Sequence, residues 1–88
     1  MLIRKKRETF KDVHARRFRR SIGARIVSLR QVRSWNQFDL ADRLKVPRDR
    51  LAKWESGCHV PPAEALLLLS SVLEISVDEL LTGRKLTA

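Results

Sequence analysis

The chain is predicted to be all-α, and three observations carry that prediction. It is 43% hydrophobic with only 3 Gly, 3 Pro and no Tyr, and no long stretch shows the β-branched alternation of strands. Apolar residues instead recur at helical spacing in successive short segments separated by turn residues. The third observation is the stretch Gln37 to Glu55, QFDLADRLKVPRDRLAKWE, which reads as two short amphipathic helices joined by Lys45-Val46-Pro47. Its Leu40, Ala41, Leu44, Val46 and Leu51 would pack the two helices at a steep angle and leave the second with a free polar face, the layout of a helix-turn-helix. Eighty-eight residues suit one domain of about five helices, and no separate effector domain is expected.

Taken in order, residues 1–8 (MLIRKKRE) lack apolar periodicity and are expected to be disordered in the free protein. Thr9 and Asp12 make a capping-box pattern, and Phe10, Val13, His14 and Phe18 suggest a short amphipathic helix ending near Arg20. Ser21 is read as the cap of a second helix carrying Ile22, Ile26, Leu29 and Val32. Trp35 then serves as a hydrophobic staple, and Asn36 with Asp39 makes another capping box, so a helix starts at Gln37 with amide donors that suit a phosphate. Pro47 tolerates the start of the next helix because its missing N–H has no intrahelical partner there. On the helical wheel Leu51, Trp54 and Glu55 face inward, whereas Asp49, Ala52, Lys53 and Ser56 face outward, with Arg48 and Arg50 on the flanks.

Gly57 is the expected C-cap of that helix. Pro61 and Pro62 open a helix to Leu73 whose AEALLLLSSVL is apolar on nearly every side, implying a central core helix or one that also makes a subunit contact. A last helix, capped by Ser76 with Glu79 three residues on, carries Val77, Leu80 and Leu81 to Gly83, and residues 84–88 are expected to fray. The organisation expected is therefore a basic N-terminal arm over 1–20, partly helical, a helix-turn-helix domain over 21–83 and a tail over 84–88.

The formal net charge is +9, and its placement matters: residues 1–20 carry nine Lys/Arg against Glu8 and Asp12. Arg16, Arg17, Arg19 and Arg20 in that arm are candidate phosphate contacts, although a charged helix face is more commonly just solvated. One cysteine excludes an intrachain disulfide and fits a reducing compartment. No signal peptide is apparent, and the longest apolar run, Ala65 to Leu69, is too short for a bilayer, so a cytoplasmic protein is expected, with no membrane partner. Cys58-His59 lacks CxxC spacing and has only His14 as a further nitrogen ligand, so neither a metal nor any other cofactor is expected. The same adjacent pair supplies no base and oxyanion geometry, and no Gly-rich phosphate cradle occurs, which argues against an enzyme.

In order and spacing, IGARIVSLR, NQFDLADRLKV, the WESG turn followed by Pro61, and LEISVDELL resemble the phage-repressor and Cro-like (Xre-type) helix-turn-helix family. The resemblance covers Ile22 to Gly83, about two thirds of the chain. It implies a compact five-helix lambda-repressor-like domain, commonly a homodimer, that binds double-stranded operator DNA and regulates transcription, a repressor being expected. It makes Arg48 to Glu55 the recognition helix, with Arg48, Asp49 and Lys53 at positions that contact base edges. An arginine there can donate two hydrogen bonds to guanine, and Asp49 can accept from cytosine N4 or position Arg48. Gln37 matches a position that contacts a phosphate and braces the recognition helix; Arg50, Ser56 and His59 are further backbone candidates.

Arg30 and Glu55 match a structural ion pair of the family. Lys45 and Ser34 stand where the family commonly has glycine, and a left-handed conformation there would cost about 1 kcal/mol. The resemblance is silent on residues 1–20. Val77, Leu80, Leu81 and Leu86 are candidate dimer contacts. An alternative from another class is an antitoxin-like or assembly module whose amphipathic Phe10, Val13 and Phe18 fold onto a protein partner.

Overall fold

In the computed structural model residues 9–85 are described, and they form five helices and no strand. These are α1 (Phe10–Val32), α2 (Gln37–Leu44), α3 (Arg48–Glu55), α4 (Ala63–Leu73) and α5 (Val77–Thr82). The expectation of a disordered segment over 1–8 and the candidate contact Leu86 lie outside the described residues.

The main departure from the sequence expectation is at Ser21, which caps nothing and lies exposed inside one continuous helix of 23 residues. The physical reason is local. The capping box at Thr9 and Asp12 forms as expected, with each residue's side chain accepting from the other's backbone N–H at 3.1 Å. Once started, the helix meets no proline before Ser34, so the amide of Ser21 stays within its ladder. The boundary expected between residues 20 and 21 therefore falls on unbroken helix.

Helix ends follow a shared chemistry. Ser34, Lys45 and Glu74 terminate α1, α2 and α4 with φ of 59°, 58° and 55°. In each case the following residue's N–H reaches back a full turn: Trp35 to the Arg30 carbonyl, Val46 to Ala41 and Ile75 to Ser70. These are Schellman-type endings without glycine, and Trp35, Val46 and Ile75 are the partly buried apolar residues that close each one against the core. At the end of α3 the left-handed residue is Gly57, φ 82°, with its N–H on the Trp54 carbonyl and the Cys58 N–H on the Lys53 carbonyl.

The core comprises Ile22 and Ile26 of α1, Leu40, Ala41 and Leu44 of α2, Leu51 and Trp54 of α3, Ala65, Leu69 and Leu73 of α4, and Leu80 of α5. One expectation is narrowed here and one corrected. The leucine run of α4 is not a wholly buried core helix, because Leu67 and Leu68 are exposed at 66% and 40%, which leaves the alternative of a helix that also makes a subunit contact. Leu80, considered above as a dimer contact, is fully buried in the domain's own core, as its place on the inward face of a short helix requires; Val77 and Leu81 are half-buried beside it.

Gly23 sets the closest approach. A Cβ there would lie 2.5 Å from the Trp54 carbonyl oxygen and nearer still to that of Glu55, so α1 crosses directly against the C-terminal end of α3. Three arginines then fasten other elements through backbone carbonyls. Arg19 Nε donates to Gly57 O at 3.0 Å, Arg25 Nη1 to Leu80 O and Leu81 O at 3.0 and 3.1 Å, and Arg33 Nη2 to Leu73 O at 2.7 Å.

Candidate nucleic-acid interface

The site is built around Glu55, the last residue of α3. Its side chain is 4% exposed and would be an uncompensated buried charge but for Arg30, itself 13% exposed. Arg30 Nε donates to Oε2 at 2.7 Å and Nη2 to Oε1 at 3.0 Å, a bidentate fork, while Nη1 donates to the Trp35 carbonyl at 3.1 Å. Hydrogen bonding to Glu55 raises the Arg30 pKa above its ordinary value, against the opposing effect of burial. Gln37 Nε2 adds a third bond to Oε1 at 2.9 Å. One carboxylate thus ties α1, the start of α2 and the end of α3 together through its contacts with Arg30 and Gln37.

That bracing fixes the opposite face of α3. Leu51 and Trp54 are buried, whereas Arg48, Asp49, Arg50 and Lys53 are all exposed. Asp49, Arg50 and Lys53 line one shallow depression with Pro47 and His59, so the structure brings together four residues expected to contact DNA. Asp49 is not seen positioning Arg48: no ion pair joins them among the described residues. The Arg48 guanidinium lies instead over the ring of Phe38, 4.7 Å from its centroid.

Phe38 was missed by the sequence reading. It is the second residue of α2 and off the Leu40, Ala41, Leu44 stripe, which was the only available signal, and it is 63% exposed. Trp35 nearby is half-buried, with Arg43 at 4.1 Å and Arg33 at 5.6 Å from its ring centroid.

The backbone candidates divide. Gln37 spends one amide hydrogen on Glu55 and keeps the other. Ser56 Oγ donates to Lys53 O at 3.2 Å, so its hydroxyl proton must turn away from that carbonyl to reach a phosphate. Arg19 is half-buried and committed through Nε to Gly57, whereas Arg17 and Arg20 are exposed and Arg16 is half-buried. The N-terminal half of α1 therefore passes beside the turn that follows α3. Its apolar stripe covers no core: Phe10 and Phe18 are exposed at 82% and 43%, and Phe10 meets His14 edge-on at 4.1 Å. Among the described residues no three His, Cys, Asp or Glu side chains converge as a metal site, and no helix is long and apolar enough to cross a membrane.

Two helices at a tight turn, the second presenting a braced polar face, define a helix-turn-helix domain. The chain belongs to the helix-turn-helix family, whose model matches residues 26–80. It is 37% identical over 62 residues to the HTH-type transcriptional activator BcrR of Enterococcus faecalis, covering 70% of this chain and 30% of that protein. It is 34% identical over 61 residues to the HTH-type transcriptional regulator AnsR of Bacillus subtilis (strain 168), covering 69% of this chain and 53% of the relative. The chain thus spans between 30% and about half of the length of these relatives. Among solved structures it is similar to the P22 c2 repressor protein, crystallised in complex with synthetic operator 9T in the presence of Tl+. That match has a TM-score of 0.69 and 33% identity over 72% of this chain and 96% of the repressor chain.

Proposed function

We propose that the chain is a sequence-specific double-stranded DNA-binding module of a transcriptional regulator. The observation that carries this reading is the exposed row Arg48, Asp49 and Lys53 on a helix whose far side is locked by Glu55, Arg30 and Gln37. A helix held this way can enter the major groove, where Arg48 reads guanine and Asp49 or Lys53 neighbouring bases. Arg50, Gln37, His59, Ser56 and, from the first half of α1, Arg16, Arg17, Arg19 and Arg20 contact the phosphate backbone. The relatives include an activator and a repressor, so the proposal is regulation without a fixed sign. Homodimerisation on a two-fold site and a cytoplasmic, nucleoid-associated location belong to the same proposal.

The test is selection of bound duplexes from a random pool, followed by Arg48→Ala. The variant should lose about 1–3 kcal/mol of discrimination at particular base pairs. Equal weakening on selected and random duplexes would remove Arg48 from the reading role. Arg17→Ala/Arg20→Ala should leave preference intact while lowering the salt slope by about two.

A second reading, a protein partner docked on the first turns of α1, is favoured by the exposure of Phe10 and Phe18. A stoichiometric partner that protects both rings from solvent would support it; unchanged partner binding by Phe10→Ser/Phe18→Ser would oppose it.

A further inference from the structure

We infer that Phe38 is a positioning residue for base recognition: its ring is the platform that holds the Arg48 guanidinium ready to read. The inference rests on the reading of Arg48 proposed above. The ring lies on α2 and the guanidinium on α3, 4.7 Å apart, so the contact spans the turn of the motif. An exposed apolar residue alone needs no explanation. Here, however, a ring that is 63% exposed carries a cation over its face.

The chemistry of the contact matters. Stacking uses the face of the guanidinium and leaves its N–H donors in the plane free. Among the described residues no acceptor takes an Arg48 N–H, and no carboxylate lies within ion-pair distance of it. The side chain is therefore held without spending the donors that a guanine O6 and N7 would need. A carboxylate partner, such as Asp49, would hold the arginine equally well but would compete for those same donors. Phe38 thereby lowers the ordering cost of a long side chain on binding, which is a gain for the base pair that Arg48 reads and for no other.

The test compares Phe38→Leu and Phe38→Tyr with the wild type on the selected duplex and its single-base-pair variants. In the DNA-free protein, the ring current of Phe38 should shift the Arg48 side-chain protons; Phe38→Leu should abolish that shift and Phe38→Tyr retain it. Phe38→Leu should lower discrimination roughly 2- to 5-fold, the size of an exposed cation–π contact, only at the base pair that Arg48→Ala also relaxes. Phe38→Tyr should restore it, and Phe38→Leu should add nothing in an Arg48→Ala background. Unchanged discrimination in Phe38→Leu, or a loss spread over all positions, overturns the inference while leaving the Arg48 reading in place. A wild-type ring-current shift accompanied by no effect of Arg48→Ala at any base pair sinks the base-reading role first, and the inference with it.

Discussion

Glu55→Ala is the substitution whose cost the structure allows to be worked through. It leaves two Arg30 N–H groups and one Gln37 amide hydrogen without their acceptor, at a site where the two charged side chains are 13% and 4% exposed. Three bonds to a charged group at about 1.5–3 kcal/mol each set an upper bound. Arg30 keeps the Trp35 carbonyl and a little access to water, which brings the expectation down to the roughly 3–5 kcal/mol typical of breaking a buried pair. An 88-residue domain has about 4–13 kcal/mol in total, so this single change removes a large share. Urea unfolding followed by Trp fluorescence and far-UV circular dichroism measures it directly. A double-mutant cycle separates pairing from packing: Arg30→Met/Glu55→Met should recover much of the loss, because no charge is then left buried alone. A Glu55→Ala cost below about 1 kcal/mol, the range of exposed pairs, would refute the reasoning.

Gly23→Ala should destabilise by about 1–3 kcal/mol through overpacking against α3, reversing the sign of an ordinary helical Gly→Ala change; a higher melting temperature would contradict the close approach. Lys45→Gly should stabilise by about 1 kcal/mol by relieving the left-handed backbone, since the exposed pair with Asp42 contributes little; a lower urea midpoint counts against it. The Asp12 carboxyl is held below its usual value, chiefly by the Thr9 backbone N–H and then by the Thr9 side chain. Its contribution is therefore present above the unfolded carboxylate pKa and lost as pH falls through the lower folded value, so the protection of amides at the start of α1, relative to their intrinsic exchange rate at each pH, should drop only below about pH 4. Asp12→Asn should abolish that dependence. Inserting one alanine between Arg17 and Phe18 turns residues 10–17 by about 100° while sparing the Arg19 bond to Gly57; affinity for any duplex should fall with preference unchanged, and unaltered affinity would mean that these residues do not act from a rigid helix.

The helix-turn-helix was legible because its signals are local. Spacing alone placed Leu40, Ala41, Leu44, Leu51 and Trp54 inside, and all five are buried. Asn36 and Asp39 announced the start of α2 through side chains three residues apart, and both cap bonds form. Ser21 misled because a good cap is also a tolerated helix interior, and only the surrounding chain decides between the two. What was not legible depends on distance in sequence: Arg19, Arg25 and Arg33 find carbonyls 38, 55 and 40 residues away, which no periodicity encodes. Phe38 escaped for a related reason, since its significance lies in where Arg48 sits and not in its own helix.

The continuity of α1 changes how the proposed interface would work. A detached basic arm would contribute phosphate contacts independently of the reading helix. Here the residues of α1 that begin the core, Ile22 and Gly23, follow Arg19 and Arg20 with only Ser21 between, and both arginines lie against Gly57 at the end of α3. The cationic turns and the reading helix are consequently parts of one rigid arrangement, whose register is set by the missing Cβ of Gly23 and the left-handed turn at Gly57. Under the proposed function, the α1 charges therefore meet phosphates at a fixed offset from the place where Arg48, Asp49 and Lys53 meet the bases, adding affinity without choosing among base pairs. Sequence-independent affinity and sequence discrimination would then share a mechanical origin in the crossing of α1 and α3, although different side chains supply them.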